Sequence, residues 1–521
     1  MGFKLDDIRV NNPRFLLLYP PLQFAPGEVA KPDGSLSLAY LAGSLRRSGY
    51  EVRILDCAVG DDEQPLEQTF FNVTTMPSGL SRVGMTTASI LAIASSYDVI
   101  GLSSIFTPQT STCLELVRAL RAAMPDKLIL GGGVNARSLR SRFFAAGVDL
   151  IALSEAEDTV IHIARALEGR GKLSDTPGVA FLDDAGGEVV RPMGAVCTNL
   201  DELPVPAWEL LPLRQYWRIS RPHGGNFKPG EIIRYASLQT SRGCPFRCLY
   251  CHISKEEKGS PGGEIGAYRT KSIERVIQEL TVLKDLGAKQ IFLEDDSLLA
   301  KKPRALRLFK LITDMGFELL DVNGVNICHL FVKKSGELHV DLELIGAMAD
   351  AGFTTIALPF ESATQRIIDK YASGKRTVDP TGRDTGKLIR AFNDAGIRVS
   401  GNYMIGYPDE TVAEIFDTVR TARRNVDQGL DYALFFAVVP FPGTVLFDLA
   451  VRNGHLSGDF EPDEMRWTKS IMRNLAMDSD ALEKVRQLAW LIVNRPEYVE
   501  YKVGMSMSPE THKPLPPVIP S

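Results

Sequence analysis

The chain has 521 residues, 44% of them hydrophobic and 24% charged, an ordinary composition for a globular protein with room for roughly two or three cores. Its net charge of −5 comes without a long Lys/Arg block, so the electrostatic footprint of a nucleic-acid binder is missing. No run of about 20 uninterrupted apolar residues occurs, so neither a membrane span nor a signal peptide is expected.

In chain order, Phe15–Tyr19, Val52–Asp56, Val99–Ser103, Leu128–Leu130 and Leu150–Leu153 read as short strands bounded by Gly, Pro or Asp. Leu36, Leu38, Ala39, Leu41, Ala42 and Leu45 recur at helical spacing between the first two, and Gly49 stops them. Leu114, Val117 and Leu120 repeat the pattern before Pro125. This α/β alternation predicts an N-terminal doubly wound, Rossmann-like parallel sheet over residues 1–172. Such sheets bind ligands beyond the carboxyl ends of their strands. Those ends carry small and hydroxyl residues here: Ser103, Ser104, Phe106 and Thr107; Gly132, Gly133 and Asn135; Ser154, Glu155 and Glu157. The glycine run taken alone reads equally well as a turn. Cys57 and Cys113 read as small buried side chains.

The pattern then breaks over 173–230. Val179–Leu182 and Glu188–Arg191 read as a hairpin, and the proline-spaced Leu203–Trp208 as an extended linker with Trp208 a packing anchor. A second alternating series fills 231–445, with strands expected at Ile232–Leu238, Gln290–Leu293, Leu319–Val325, Thr354–Leu358, Arg398–Tyr403 and Tyr432–Val438. Helical faces fall between them, such as Ile273, Val276, Ile277, Leu280 and Leu283. Six strand–helix units suggest a partial (β/α)6 barrel. Over 446–521, Leu482, Val485, Leu488, Ala489 and Ile492 predict a C-terminal helix over the barrel's open side, followed by a proline-rich tail.

Three of the seven cysteines, Cys244, Cys248 and Cys251, follow the first strand of this second series. No second ligand pair completes a tetrahedral zinc site, whereas thiolates suit an iron–sulfur cluster, which ordinarily takes four. Three leave one iron open to a substrate or cofactor. Disulfide formation would spoil such a site, so a reducing compartment, the cytoplasm, is expected. Glu294-Asp295-Asp296, Glu361-Ser362 and Gly406-Tyr407-Pro408 reach the same barrel mouth, where carboxylates suit an ammonium or ribose hydroxyls. Asp295 and Asp296 read alternatively as helix-start charges.

The Cys244-x-x-x-Cys248-x-x-Cys251 spacing, with Tyr250 before the last cysteine, resembles the radical S-adenosylmethionine signature. With the N-terminal sheet, the chain is similar to the cobalamin-binding (class B) radical S-adenosylmethionine methylases, most of all to the phosphonate C-methylase type of fosfomycin biosynthesis. It departs from their usual runs in having Ser154-Glu155-Ala156-Glu157 for Gly-Glu-Gly-Glu and Asn135 for a histidine. The resemblance implies a [4Fe-4S] cluster on the three cysteines, S-adenosylmethionine on the open iron and cobalamin at the first sheet. It further implies Tyr250 beside the adenine, Glu294 or Asp295 at the amino group, Glu361 at the ribose, and Asn402 and Gly406 among the cofactor contacts. Ser103, Ser104, Phe106, Thr107, Gly132, Gly133, Asn135, Glu155 and Glu157 would lie toward cobalamin, and Asn323, Asn326 and His329 toward substrate. His329 reads alternatively as a structural histidine. The implied reaction moves a methyl group from methylcobalamin to an unactivated carbon of a small molecule, with electrons from a flavodoxin or ferredoxin. A radical dehydratase, oxidative cyclase or ring-rearranging enzyme is the alternative outcome.

Overall fold

The computed structural model describes residues 5–26, 28, 30–32, 34–221, 231–321, 325–372, 375 and 383–507. The first unit is a seven-stranded sheet made of β1 (Phe15–Tyr19), β2 (Val52–Asp56), β3 (Val99–Ser103), β4 (Leu128–Gly132), β5 (Leu150–Ala152), β6 (Val179–Leu182) and β7 (Glu188–Arg191). Its order is β7-β6-β5-β4-β3-β1-β2, with β1 to β5 parallel. All five residues of β1 are buried, because helices cover both faces. Phe15 and Leu17 join the layer of Leu38, Leu45 and Ile163, from α1 (Leu36–Arg47) and the helix Thr159–Leu167. Leu16 and Leu18 point the other way, toward Val117 and Leu120 of α2 (Thr110–Ala123).

The chain reverses winding direction between β1 and β3, which opens a crevice at their carboxyl ends. The hairpin that the sequence pattern placed in a linker extends this sheet instead. β6 pairs antiparallel with β5 through Ile151↔Ala180, and β7 with β6. Beyond the hairpin, Trp208 is buried and its indole N–H donates to the Ser237 carbonyl at 3.0 Å. With Tyr216 and Trp217 it joins one layer of the first sheet and the core of the second unit into one apolar cluster.

The second unit has six parallel strands in two three-stranded sheets, β8 (Tyr235–Leu238), β9 (Gln290–Leu293) and β10 (Glu318–Asp321), then β11 (Thr355–Glu361), β12 (Arg398–Ile405) and β13 (Tyr432–Ala437). Helices alternate with the strands, among them α3 (Ile273–Asp285), α4 (Lys302–Asp314), α5 (Leu342–Asp350), α6 (Arg383–Asp394) and α7 (Val412–Asp427). Of these, α6 went unread in the sequence, although Leu388, Ile389 and Phe392 give it a buried face.

Helix α8 (Ser479–Val493), the first of two helices that end the described residues, lies along the free edge of β13. The Asn494 amide accepts from Ala433 N–H at 2.7 Å and donates to Ala433 O at 2.9 Å, so one side chain stands in for a neighbouring strand. Leu482, Ala489 and Val493 form its buried face, whereas Leu488 and Ile492, expected inside, are exposed. The proline-rich tail lies outside the described residues. Among the described residues, no helix is long and apolar enough to cross a membrane.

Candidate active site

The cysteine segment leaves β8 and is pinned before it reaches its first thiol. Asp295, fully buried after β9, accepts from Thr240 N–H at 3.0 Å, from the Thr240 hydroxyl at 2.8 Å and from the Ser241 hydroxyl. Asp296 accepts from Gly243 N–H at 2.9 Å. Ser241 and Arg242 pair antiparallel with Thr270 and Arg269, and Cys244 N–H donates to Gly266 O at 3.2 Å. Gly243 has φ +77°, and a methyl group there would overlap the Ala267 carbonyl, so this close approach requires glycine.

All seven cysteines are free thiols; Cys248 is buried, and Cys244 and Cys251 are half-buried. Burial pushes all three loop thiols up, Cys251 to about 12, while the Lys375 ammonium pulls Cys248 back toward ionisation. Desolvated thiols that interact with one another gain most from ligating a metal, whose charge replaces the lost hydration. Among the described residues, no three metal-binding side chains converge on a point suited to a single ion. A cluster distributes its thiolates over separate irons, and three thiols carried on one loop suit it.

Opposite the loop, β11 has a register irregularity between Pro359 and Glu361, and Glu361 takes φ +60°. A non-glycine residue in that conformation costs about 1–2 kcal/mol, and the bulge aims the carboxylate inward. Glu361 is 5% exposed and accepts from the Tyr250 hydroxyl at 2.8 Å and from the Lys375 ammonium. Burial alone would lower Lys375, yet Glu361 and the thiols of Cys248 and Cys251 hold it above its ordinary value. Lys375 escaped the sequence reading because it lies far from any strand end. Burial pushes Glu294 up to about 7, so this carboxyl gains from a cationic ligand, while the neighbouring Asp296 is exposed at the same strand end. On β12, the buried Asn402 Oδ1 has no partner among the described residues and suits a ligand donor.

Several expected contacts have other employment. The three bonds of Asp295 secure the loop's entry, which makes it a positioning residue. Gly406 N–H donates to Glu410 at 2.7 Å, and its Cα abuts Leu482 of α8. Asn326 caps a short helix by accepting from Cys328 N–H at 3.2 Å. His329 packs against Phe246 of the cysteine loop, ring centroids 5.6 Å apart, and its buried Nδ1 has no partner among the described residues. Asn323 lies outside the described residues.

At the crevice of the first sheet, Ser103, Ser104, Thr107 and Asn135 are buried. Asn135 donates to the Ser104 hydroxyl at 2.9 Å and to the Thr110 hydroxyl at 3.0 Å, so it ties two loops together. Gly133, at φ +91°, lies against the Ser104 backbone, where a side chain would overlap it. Gly132 instead faces open space, and Phe106 is 38% exposed. These two present the surface that a large flat ligand can approach. Glu155 and Glu157 point elsewhere. Glu155 accepts from Arg269 at 2.6 and 2.9 Å, and Glu157 from Arg242 at 2.7 Å. Both arginines belong to the second unit and were missed in the sequence; Arg242 lies two residues before Cys244, whereas Arg269 comes 18 residues after Cys251 and is brought beside Arg242 by strand pairing.

A first sheet wound as a B12-binding domain, facing a six-strand unit with a three-cysteine loop, defines a class: radical S-adenosylmethionine enzymes with a cobalamin domain. The B12 binding domain profile matches residues 29–164, and that of the radical SAM superfamily residues 238–422. The chain thus carries both a B12-binding domain and a radical S-adenosylmethionine domain. It is 26% identical over 493 residues to an uncharacterized methyltransferase of Pyrococcus horikoshii, covering 92% of each chain. It is 23% identical over 494 residues to the cytidylyl-2-hydroxyethylphosphonate methyltransferase of Streptomyces wedmorensis, covering 88% of this chain and 85% of that one. In fold it is similar to the cobalamin-dependent enzyme OxsB, solved with aqua-cobalamin and S-adenosylmethionine, at TM-score 0.67, 16% identity, 95% of this chain and 71% of that one. It is also similar to TsrM from Kitasatospora setae, solved with cobalamin and a [4Fe-4S] cluster, at TM-score 0.61, 16% identity, 93% of this chain and 90% of that one.

Proposed function

We propose that the chain is a cobalamin-dependent radical S-adenosylmethionine methyltransferase acting on an unactivated carbon of a small molecule. The observation that carries this reading is the joining of the two half-sites, since carboxylates at the end of β5 grip the arginines on either side of the cysteine loop. When bound, the cluster and S-adenosylmethionine supply one-electron chemistry, and cobalamin supplies a transferable methyl group.

The chain's own groups bind, orient and insulate. Cys244, Cys248 and Cys251 hold the cluster. Glu294 and Asp296 receive the amino group of S-adenosylmethionine, where the raised proton affinity of Glu294 is relieved by a cation. Tyr250 flanks the adenine, Glu361 meets the ribose, and Asn402 offers an acceptor from β12. Gly132 and Phe106 support cobalamin on the first sheet, and His329 faces the substrate from beside Phe246. The six strands close into a partial barrel whose mouth is capped by the first domain, which excludes water from the reacting centre. A flavodoxin- or ferredoxin-like protein delivers electrons in the cytoplasm, a compartment in which free thiols persist.

The test is anaerobic reconstitution with iron and sulfide, followed by turnover with S-adenosylmethionine, methylcobalamin and a low-potential one-electron reductant. Cytidylyl-2-hydroxyethylphosphonate is the first substrate to try. Release of 5′-deoxyadenosine together with a product heavier by one methyl group supports the reading. A cluster-loaded protein that does not cleave S-adenosylmethionine refutes it.

A further inference from the structure

Glu155 and Glu157 have no part in the chemistry above, yet their partners adjoin a cluster ligand. Arg269, gripped at both nitrogens by Glu155, also donates to Ile265 O at 2.9 Å and Ala267 O at 3.2 Å. Those two carbonyls flank Gly266, whose own carbonyl accepts the Cys244 N–H. A second arm reaches the same cysteine from the other side. Glu157 holds Arg242 at 2.7 Å, and Arg242 directly precedes Gly243, whose N–H is bound by Asp296. Arg242 is further fixed by stacking on Tyr40 of α1, 4.6 Å from the ring centroid, and by a 3.0 Å bond to Gln239. The side chains of Arg242, Glu157 and Arg269 are only 10%, 8% and 7% exposed and that of Glu155 18%, so water competes weakly for these bonds. Ser154 adds a tie from the same strand end, donating to Gly262 O at 2.6 Å.

We infer that Glu155 and Glu157 are positioning residues for the iron–sulfur site, through which the cobalamin domain sets the placement of Cys244 and the charge around its iron. The inference rests on the proposed assignment of the three cysteines to a cluster. It has a sign. Each carboxylate balances a guanidinium behind the loop, so its neutralisation leaves a buried positive charge near an anionic cluster. A positive charge favours the reduced, more negative cluster, and the midpoint potential rises.

The experiment is redox titration of the anaerobically reconstituted full chain, followed by electron paramagnetic resonance, for wild type, Glu155→Gln, Glu157→Gln and Glu155→Asp. Expected are raised midpoint potentials and altered spectra in both Gln variants, with Glu155→Asp between them and wild type. Arg170→Met is the control, because it removes a 2.9 Å bond to the Tyr50 hydroxyl, just before β2 at the end of the first sheet opposite the crevice. A merely structural role lowers the unfolding temperature but leaves the potential of the folded fraction unchanged, and that result overturns the inference. If Glu155→Gln does not fold, Glu155→Asp carries the measurement on the same terms. A wild-type chain that takes up no cluster overturns the cysteine assignment and the inference together, whereas a wild-type cluster with an unmoved variant potential overturns the inference alone.

Discussion

Gly406 offers a decision between two jobs, cofactor contact and packing against the C-terminal helix. It has φ +90°, and an added methyl group would overlap Leu482 Cδ2, with Leu482 Cγ and Cδ1 at 3.3 and 3.4 Å. In Gly406→Ala the backbone conformation costs about 1–2 kcal/mol. Leu482 is 1% exposed, so it has no vacant space to enter and must surrender part of its packing. Complete loss of a buried leucine side chain costs ~2–5 kcal/mol, which bounds that second contribution. Together they predict a destabilisation of roughly 2–5 kcal/mol.

Leu482→Ala supplies the discriminating partner. Once the leucine is truncated, the methyl group has room, and only the conformational cost of Gly406→Ala remains. The double variant should therefore be more stable than the sum of the two single effects, by about 1–3 kcal/mol in a double-mutant cycle. The assay is denaturant unfolding of anaerobic full-length protein, with S-adenosylmethionine affinity measured by equilibrium dialysis alongside. Additive single effects would refute the packing argument. So would a Gly406→Ala variant of unchanged stability that binds S-adenosylmethionine more weakly.

Cys248→Ala should lose most of the bound iron and all 5′-deoxyadenosine formation, measured by iron assay and chromatography; full retention of either would exclude it as a cluster ligand. Gly133→Ala should weaken cobalamin uptake, read by absorbance, while iron content stays at the wild-type level, since the overlap with the Ser104 backbone is confined to the first sheet. Burial pushes Glu410 from 4.5 up to about 8, so the folded chain holds that proton more tightly than the unfolded one. Its contribution to stability is complete below the unfolded value and is lost as pH rises through about 8, each tenfold change in proton affinity being worth about 1.4 kcal/mol. Glu410→Gln keeps an acceptor for the Gly406 and Tyr407 N–H groups and should flatten the fall in unfolding midpoint across that range. An unchanged slope would contradict a buried, proton-retaining Glu410.

Periodicity made the two α/β units legible because their strands are buried and apolar, with β1 reading Phe-Leu-Leu-Leu-Tyr. The hairpin was legible as a hairpin but not as an extension of the first sheet, since strand pairing across a sheet leaves no local trace. The cysteine triplet announced itself by spacing alone. Lys375 did not, because its position beside Glu361 depends on the path of a long connection after β11. Asn135 and the Glu155/Glu157 pair show the same limit from the other side. Their place at strand ends was readable, but which way each side chain turns was decided by partners from distant segments: Thr110 for Asn135, and Arg269 and Arg242 for the glutamates.

Why ion pairs should hold this junction is a question of geometry more than of stability. Apolar residues of similar volume in place of Arg242 and Glu157 would in many proteins be neutral or stabilising, because desolvating two charges offsets their attraction. What an apolar contact lacks is direction. The fork of Arg269 fixes both oxygens of Glu155 and two loop carbonyls at once, so it admits one arrangement of the 265–269 segment against β5. A hydrogen atom must be taken from one carbon and a methyl group delivered to it, and a displacement of about 1 Å is enough to cost large factors in rate. Directional bonds between the strand ends of the first sheet and the cysteine loop suit that demand. On this argument, Arg269→Lys, which keeps the charge and loses the fork, should retain most of the stability while reducing methyl transfer relative to S-adenosylmethionine cleavage. Equal reduction of both activities, measured as the ratio of methylated product to 5′-deoxyadenosine, would show that the fork serves the fold alone.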